Sequence, residues 1–112
     1  MTEAGAPDAT YAVVELRKGP GWAAGVSPGL IGLQLRHLRT LWRLRRAGLA
    51  LLAGPTPGDS DLRGLVICRA DDVARVLAAL QRDPAVQAGR LTVRAAGGAR
   101  HDNPGPTAPA RP

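Results

Sequence analysis

The order of strand-like and helix-like segments constrains the fold of this chain more than any other feature of its sequence. Four short apolar segments rich in β-forming residues predict strands, at 11–17, 49–53, 64–69 and 90–95. Amphipathic helices are predicted between them, one over about 28–47 and one from Val73 to the Asp83-Pro84 step. Ser27 and Gly48 are the predicted N-cap and C-terminal stop of the first helix. The resulting order is β-α-β-β-α-β.

Two β-α-β halves predict an α+β domain of the ferredoxin-like kind, a four-stranded antiparallel sheet with both helices on one face. This domain is expected to span residues 10–96. Residues 1–9 and 97–112 are rich in Gly, Pro and Ala, and both are predicted to be disordered tails because they bury too little apolar surface. Since Leu and Val alternate onto both faces of the strands, we expect a second copy of the chain to cover the free face, which gives a sheet-to-sheet homodimer.

Arginine gives the chain its formal net charge of +6, because Lys18 is its one lysine. A basic chain attracts nucleic acid, anionic membranes or acidic substrates. Arg36, Arg39, Arg43 and Arg46 gather on one face of the first helix, but no aromatic residue is interleaved with them. A solvated helix face is therefore favoured, and a nucleic-acid partner is not expected.

Cysteine content and hydropathy bear on location. Cys68 is the single cysteine, so an intrachain disulfide and a cysteine metal site are excluded, and a small core residue is the favoured role. The N-terminus lacks the pattern of a signal peptide, and no segment reaches the length of about 18 apolar residues that a membrane span needs. We therefore expect a cytoplasmic protein without a membrane partner.

His37 is the residue of the first helix with the clearest chemical potential. On a helical wheel it interrupts one apolar stripe, which consists of Leu30, Leu33, Leu41 and Leu44. A second apolar stripe lies beside it and consists of Ile31, Leu35, Leu38 and Trp42. An imidazole in an apolar stripe needs hydrogen-bonded nitrogens, and a neighbouring carboxylate suits it for general-base work. From the residues alone, a general base and a core histidine bonded to a backbone carbonyl both stay open.

Two motifs carry a resemblance to a known family. The segment HLRTLWRLRRA at 37–47, followed by LLAGP at 51–55, resembles the YCII-like proteins, and RDPAVQAG at 82–89 is similar to the family's second motif. The likeness covers about residues 11–96. It implies a dimeric α/β barrel of ferredoxin-like subunits and a histidine–aspartate site at His37 and Asp83. The family often has an aromatic residue after the Asp-Pro pair, where this chain has Ala85.

The leading interpretation is a YCII-like enzyme without metal or organic cofactor, in which His37, oriented by Asp83, moves a proton on a small organic substrate. Elimination and isomerisation are the reaction types considered. Gly54, Pro55 and Trp22 are the candidate substrate-binding residues, although the first two also suit a strand-to-loop turn and Trp22 also suits a loop anchor. The alternative is a non-catalytic dimeric module that binds a small ligand or serves as an accessory protein. Under that alternative Asp83 is a turn former.

Overall fold

A computed structural model describes the backbone of residues 9–101 and the side chains of residues 10–96. It contains four strands, three α-helices and one 3₁₀ turn, which are β1 (Ala9–Lys18), α1 (Pro28–Arg46), β2 (Leu52–Pro55), β3 (Leu62–Arg69), the 3₁₀ turn (Ala70–Asp72), α2 (Val73–Gln81), α3 (Pro84–Gln87) and β4 (Leu91–His101). The strands form one sheet of order β2-β3-β1-β4, and each neighbouring pair is antiparallel. This order and connectivity confirm the predicted ferredoxin-like α+β fold.

The core lies between one face of the sheet and the helices. Alternate residues of β1 and β3 point into it, because side chains in a strand alternate between its two faces. The buried residues from these strands are Ala12, Val14, Leu16, Val66 and Cys68. Leu44 of α1 and Val76 and Leu80 of α2 complete the core from the helical side. Burial of these apolar side chains supplies the main free energy that holds the two layers together.

The ends of α1 lie at the two residues predicted for them, Ser27 and Gly48. The Ser27 hydroxyl accepts a hydrogen bond from the Leu30 amide at 3.2 Å, which satisfies one of the free amides at the helix start. At the other end Gly48 has φ of +76°, a conformation that glycine adopts without steric cost. The Gly48 amide donates to the Arg45 carbonyl and the Leu49 amide to the Leu44 carbonyl, a Schellman motif. The predicted cap and stop are confirmed.

The second strand begins later than predicted. Leu49 and Ala50 belong to the helix end, because their amides both donate to the Leu44 carbonyl at 2.9 and 3.1 Å. β2 therefore starts at Leu52, and Gly54 and Pro55 are paired strand residues instead of the predicted turn. The apolar character of 49–53 arises from core packing at a helix end as much as from a strand.

The fourth strand extends beyond its predicted end. β4 continues to His101, and residues 98–101 pair with residues 9–12 of β1. The segment from 97 to 101 was predicted as part of a disordered tail because it lacks large apolar side chains. Backbone hydrogen bonds to β1 hold it in the sheet, and such bonds need no particular side chain. The remainder of the predicted tails, 1–8 and 102–112, lies outside the described residues.

A close backbone contact fixes the loop after β1. The Gly19 amide donates to the Arg90 carbonyl at 2.8 Å, and the Gly21 amide donates to the Gly89 carbonyl at 2.7 Å. A Cβ atom on Gly19 would lie 2.2 Å from the Gly89 carbonyl oxygen, so only glycine fits there. The contact holds the loop that carries Trp22 against the start of β4.

Within residues 9–101, no helix is both long and apolar enough to cross a membrane.

Gly19→Ala is expected to lower the free energy of unfolding by about 1–3 kcal/mol, because the added methyl group collides with rigid backbone. Gly32→Ala is the matched control, since a Cβ there meets nothing within 4 Å outside its own helix turn. In the helix interior that change is expected to stabilise the protein by about 0.5–1 kcal/mol. Urea denaturation of both variants measures the two effects. Equal effects of the two substitutions would contradict the proposed role of the contact.

Candidate active site

His37 points inward from the middle of α1 and is only 5% exposed. It lies in the stripe predicted from the helical wheel, and that stripe is the one that faces the core: Leu44 is buried and Leu33 and Leu41 pack against the core. The second predicted stripe is not covered by the described residues. Its residues are about half exposed in the single chain, with Ile31 at 50%, Leu35 at 62%, Leu38 at 48% and Trp42 at 57%.

Asp83 is the hydrogen-bond partner of His37. It is the N-cap of α3, and its Oδ2 atom accepts a hydrogen bond from the Ala85 amide at 3.0 Å. The same oxygen lies 2.8 Å from Nδ1 of His37. Asp83 is 1% exposed, so both side chains of the pair are removed from water. A carboxylate at a helix N-cap and a histidine from another helix therefore meet at one oxygen atom.

The environment of Asp83 determines its charge. Burial raises the pKa of the carboxyl, but the hydrogen bonds from the His37 ring and the Ala85 amide lower it by more, so the pKa lies below its ordinary value of 3.8. Asp83 is therefore a carboxylate at neutral pH. Its second oxygen, Oδ1, has no hydrogen-bond partner among the described residues, and the Thr40 hydroxyl donates to the Arg36 carbonyl at 3.3 Å.

The charge of Asp83 fixes the hydrogen on the His37 ring. An ionised carboxylate can only accept hydrogen bonds, so Nδ1 of His37 must be the donor. In the neutral ring Nε2 then carries no hydrogen and is a proton acceptor. This is the tautomer that a general base needs, because the oriented nitrogen is held by the carboxylate and the other nitrogen has its lone pair free.

A cleft of about 430 Å³ opens beside the His37 ring. Its volume lies within the range of small-molecule sites in proteins. Of the predicted site residues, His37, Trp22, Gly54 and Pro55 line this cleft. Asp83 does not, because it lies behind the imidazole ring. The structure thus brings the five residues together, four of them in the wall of the cleft and one behind the wall, while their roles in substrate binding and catalysis stay predictions.

Trp22 lines the cleft, and three cationic side chains contact its ring. The ring is half-buried and packs against the core. Its centre lies 4.0 Å from the guanidinium carbon of Arg90, 5.1 Å from that of Arg63 and 5.5 Å from Nζ of Lys18. Cation–π contacts of this kind hold an indole ring in place. Trp22 is therefore both part of the cleft and anchored in its loop.

Sequence reasoning missed four polar residues of the cleft, namely Gln34, Arg45, Arg63 and Arg90. Gln34 and Arg45 lie three residues before and eight residues after His37 on the same helix, so the helical wheel contained a signal for them. Arg63 and Arg90 lie at a strand irregularity and at a strand start, and no local pattern marks them.

Two other residues have structural roles. Cys68 is fully buried, and burial raises the pKa of its thiol, so the residue is an unreactive part of the core as predicted. Ala85 is buried as well and does not line the cleft, so its side chain does not shape the candidate site.

In the part of the chain that the structure describes, no three His, Cys, Asp or Glu side chains cluster as a metal site.

Comparison with known proteins adds a family. The model of the YCII-related domain matches residues 30–108, a range that includes His37 and Asp83. No curated protein matches the chain. One similar solved structure is 5-chloro-2-hydroxyhydroquinone dehydrochlorinase (TftG) from Burkholderia phenoliruptrix AC1100 in complex with 2,5-dihydroxybenzoquinone. It is 23% identical, with a TM-score of 0.45, and the match covers 75% of this chain and 90% of that chain.

The lowered pKa of Asp83 predicts how acid affects stability. A carboxylate with a folded-state pKa below its unfolded value stabilises the fold above the unfolded pKa, and this stabilisation is lost as the pH falls through the folded pKa. Asp83→Asn is therefore expected to unfold more easily at pH 7, by about 1–3 kcal/mol, because a neutral amide replaces the charged acceptor of two buried hydrogen bonds. The difference from the wild type should shrink below about pH 4.

Urea denaturation at pH 7, 5 and 3 measures this difference. Asp71→Asn is the matched control, because Asp71 is exposed in the 3₁₀ turn and makes no hydrogen bond or ion pair with the described side chains. Its effect on stability should be small and nearly independent of pH. A gap between wild type and Asp83→Asn that stays constant from pH 7 to pH 3 would contradict the assignment of Asp83 as a stabilising carboxylate.

Proposed function

The chain belongs to the YCII-related domain family, and we propose that it is an acid–base enzyme without metal or organic cofactor that acts on a small organic substrate. His37 is the proposed general base and acid, and Asp83 is its positioning residue. The observation that carries this proposal is the position of one imidazole ring, which donates a hydrogen bond to a buried carboxylate and also lines an open cleft. A core histidine bonded to a backbone carbonyl, the other interpretation of the sequence, would lack the carboxylate.

The proposed reaction begins with proton removal from a carbon atom of the substrate. Nε2 of His37 takes the proton, and Asp83 stabilises the imidazolium through the Nδ1 hydrogen bond. In an elimination, the C–H electron pair forms a carbon–carbon double bond while a leaving group departs from the neighbouring carbon with its own pair. In an isomerisation, the imidazolium returns the proton to a different carbon. Neither route is a net oxidation or reduction, so neither needs an electron donor or acceptor besides the substrate.

A second candidate function is a binding module without catalysis. The small exposed fraction of His37, 5%, favours this alternative, because little of the ring is open to a reacting atom. In that case the cleft would bind a ligand through its walls, and the His37–Asp83 pair would serve to join α1 to α3. The two functions differ in what they predict for a variant without the imidazole.

His37→Gln separates the two functions. Wild-type protein is incubated in D₂O with a panel of small hydroxy, keto and halogenated organic compounds, both carboxylates and uncharged analogues, and NMR follows deuterium incorporation and product formation. We expect His37→Gln to reduce the rate by about 10²–10⁴-fold and Asp83→Asn to reduce it less. Circular dichroism confirms that the variants are folded. Compounds that raise the melting temperature of wild type and His37→Gln equally, without exchange or turnover in either, would support the binding module.

Assembly through the free face of the sheet is part of the proposal. On this face Leu52 pairs with Ile67, and Val13 pairs with Ile67 from the other side, so apolar side chains lie together across three strands. Leu52 is 63% exposed in the single chain. A patch of this kind is costly in water, and a second copy would cover it. We retain the sheet-to-sheet homodimer and the cytoplasmic location as proposals drawn from the sequence.

Ile67→Glu is expected to convert the dimer to a monomer, because it places a charge in the centre of the apolar patch. Leu35→Glu is the matched control, since Leu35 is a comparable apolar residue, 62% exposed, on α1 and away from the sheet. Sedimentation analysis over a range of concentrations measures the mass of each protein. A monomeric wild type, or dissociation caused by Leu35→Glu and not by Ile67→Glu, would overturn this arrangement.

A further inference from the structure

The side chain of Arg63 reaches the cleft because the pairing of β1 with β3 is irregular. Leu16 pairs with Gly64, but the next residue of β1, Arg17, pairs with Leu62, so Arg63 has no partner in the register. Gly64, Val66 and Cys68 face the core, and simple alternation would direct Arg63 to the opposite face of the sheet. The register shift changes this direction, as bulges near functional sites commonly do. Arg63 lines the cleft instead.

Arg63 and Arg90 are held in place by backbone carbonyls. Nη1 of Arg63 donates to the carbonyls of Gly58 and Ser60 at 2.9 and 3.3 Å. Nη1 of Arg90 donates to the Ala23 carbonyl at 2.9 Å. Neither guanidinium forms an ion pair with an acidic residue of the described chain. Each therefore has no counter-charge among the described side chains and has further N–H donors for another group.

The cleft is lined by positively charged side chains and by no negatively charged ones. Its ionisable lining residues are His37, Arg45, Arg63 and Arg90, and none of its lining residues is Asp or Glu. Asp83 is the nearest acidic group to the ring, and its charge is already engaged by His37 and the Ala85 amide. Positive groups without counter-charges in a walled cleft attract anions, and a guanidinium binds a carboxylate through two parallel hydrogen bonds.

We propose that the substrate is a small organic carboxylate whose negative group is bound by Arg63 and Arg90. This inference rests on the proposed function for the role of His37 and adds the chemical class of the substrate. The apolar body of the molecule lies against Leu38 and Leu41, which line the same cleft. The arginines also offset the negative charge that develops on the substrate as its proton moves to His37.

Paired probes test the substrate class. Benzoate and benzamide have nearly the same shape and differ in charge, and each is titrated into ¹⁵N-labelled full-length protein while NMR follows the amide signals. In the wild type we expect benzoate to bind at least about tenfold more tightly than benzamide, with shifts at cleft residues and weaker binding at higher salt. Arg63→Gln should abolish the preference for benzoate. Arg43→Gln removes the same charge from an exposed position of α1 outside the cleft and should preserve it.

Several outcomes would overturn the proposal. They are equal affinity for benzoate and benzamide, absence of cleft shifts with benzoate at millimolar concentration, and a preference for benzoate that survives in Arg63→Gln. The test of the substrate class can fail independently of the test of His37 as the acid–base residue. If benzoate binds the cleft through Arg63 but His37→Gln leaves proton exchange unchanged, the substrate class stands and the acid–base function fails. If His37-dependent exchange occurs on uncharged compounds alone, the function stands and the substrate class fails.

Discussion

One carboxylate oxygen joins the two parts of the chain on which the candidate site depends. Oδ2 of Asp83 caps α3 and accepts the Nδ1 hydrogen of His37, so a residue in the second half of the chain orients a side chain in the first. A buried carboxylate without such partners would cost several kcal/mol. The structural and chemical roles of Asp83 are therefore one role: the charge that makes the N-cap strong also fixes the tautomer of the imidazole.

The walls of the cleft depend on backbone contacts as much as on side chains. The hydrogen bonds from Gly19 and Gly21 to the turn before β4 hold Trp22 beside Arg90. Gly54 adds a wall without a side chain from β2. Close packing of backbone against backbone leaves little freedom in these segments, so the positions of the charged groups are set by the sheet and its turns. A site built in this way is largely preformed.

The sequence predicted what depends on local patterns and missed what depends on pairing between distant segments. Helical periodicity placed His37 in the buried stripe of α1, and cap chemistry placed Ser27 and Gly48 at its ends. The partner of His37 came from the family resemblance, because an Asp-Pro step by itself is explained by a turn. Arg63 was missed, since the direction of its side chain depends on a register shift between two strands. No pattern in the residues around it indicates that shift. The length of β4 was missed for the same reason.

Burial changes steadily across the cleft, and this gradient limits what fits there. His37 is 5% exposed at the inner end, Leu41 is half-buried, and Arg45 is exposed toward the opening. Leu38 and Trp42 belong to both the cleft and the uncovered stripe of α1, so the cleft opens along that helix. The proposed proton transfer at the inner end would benefit from the exclusion of water, whereas arginines can bind a negatively charged group in partly solvated surroundings. A molecule with an apolar, proton-bearing end and a negatively charged end matches both requirements at once, and a uniformly polar one matches neither.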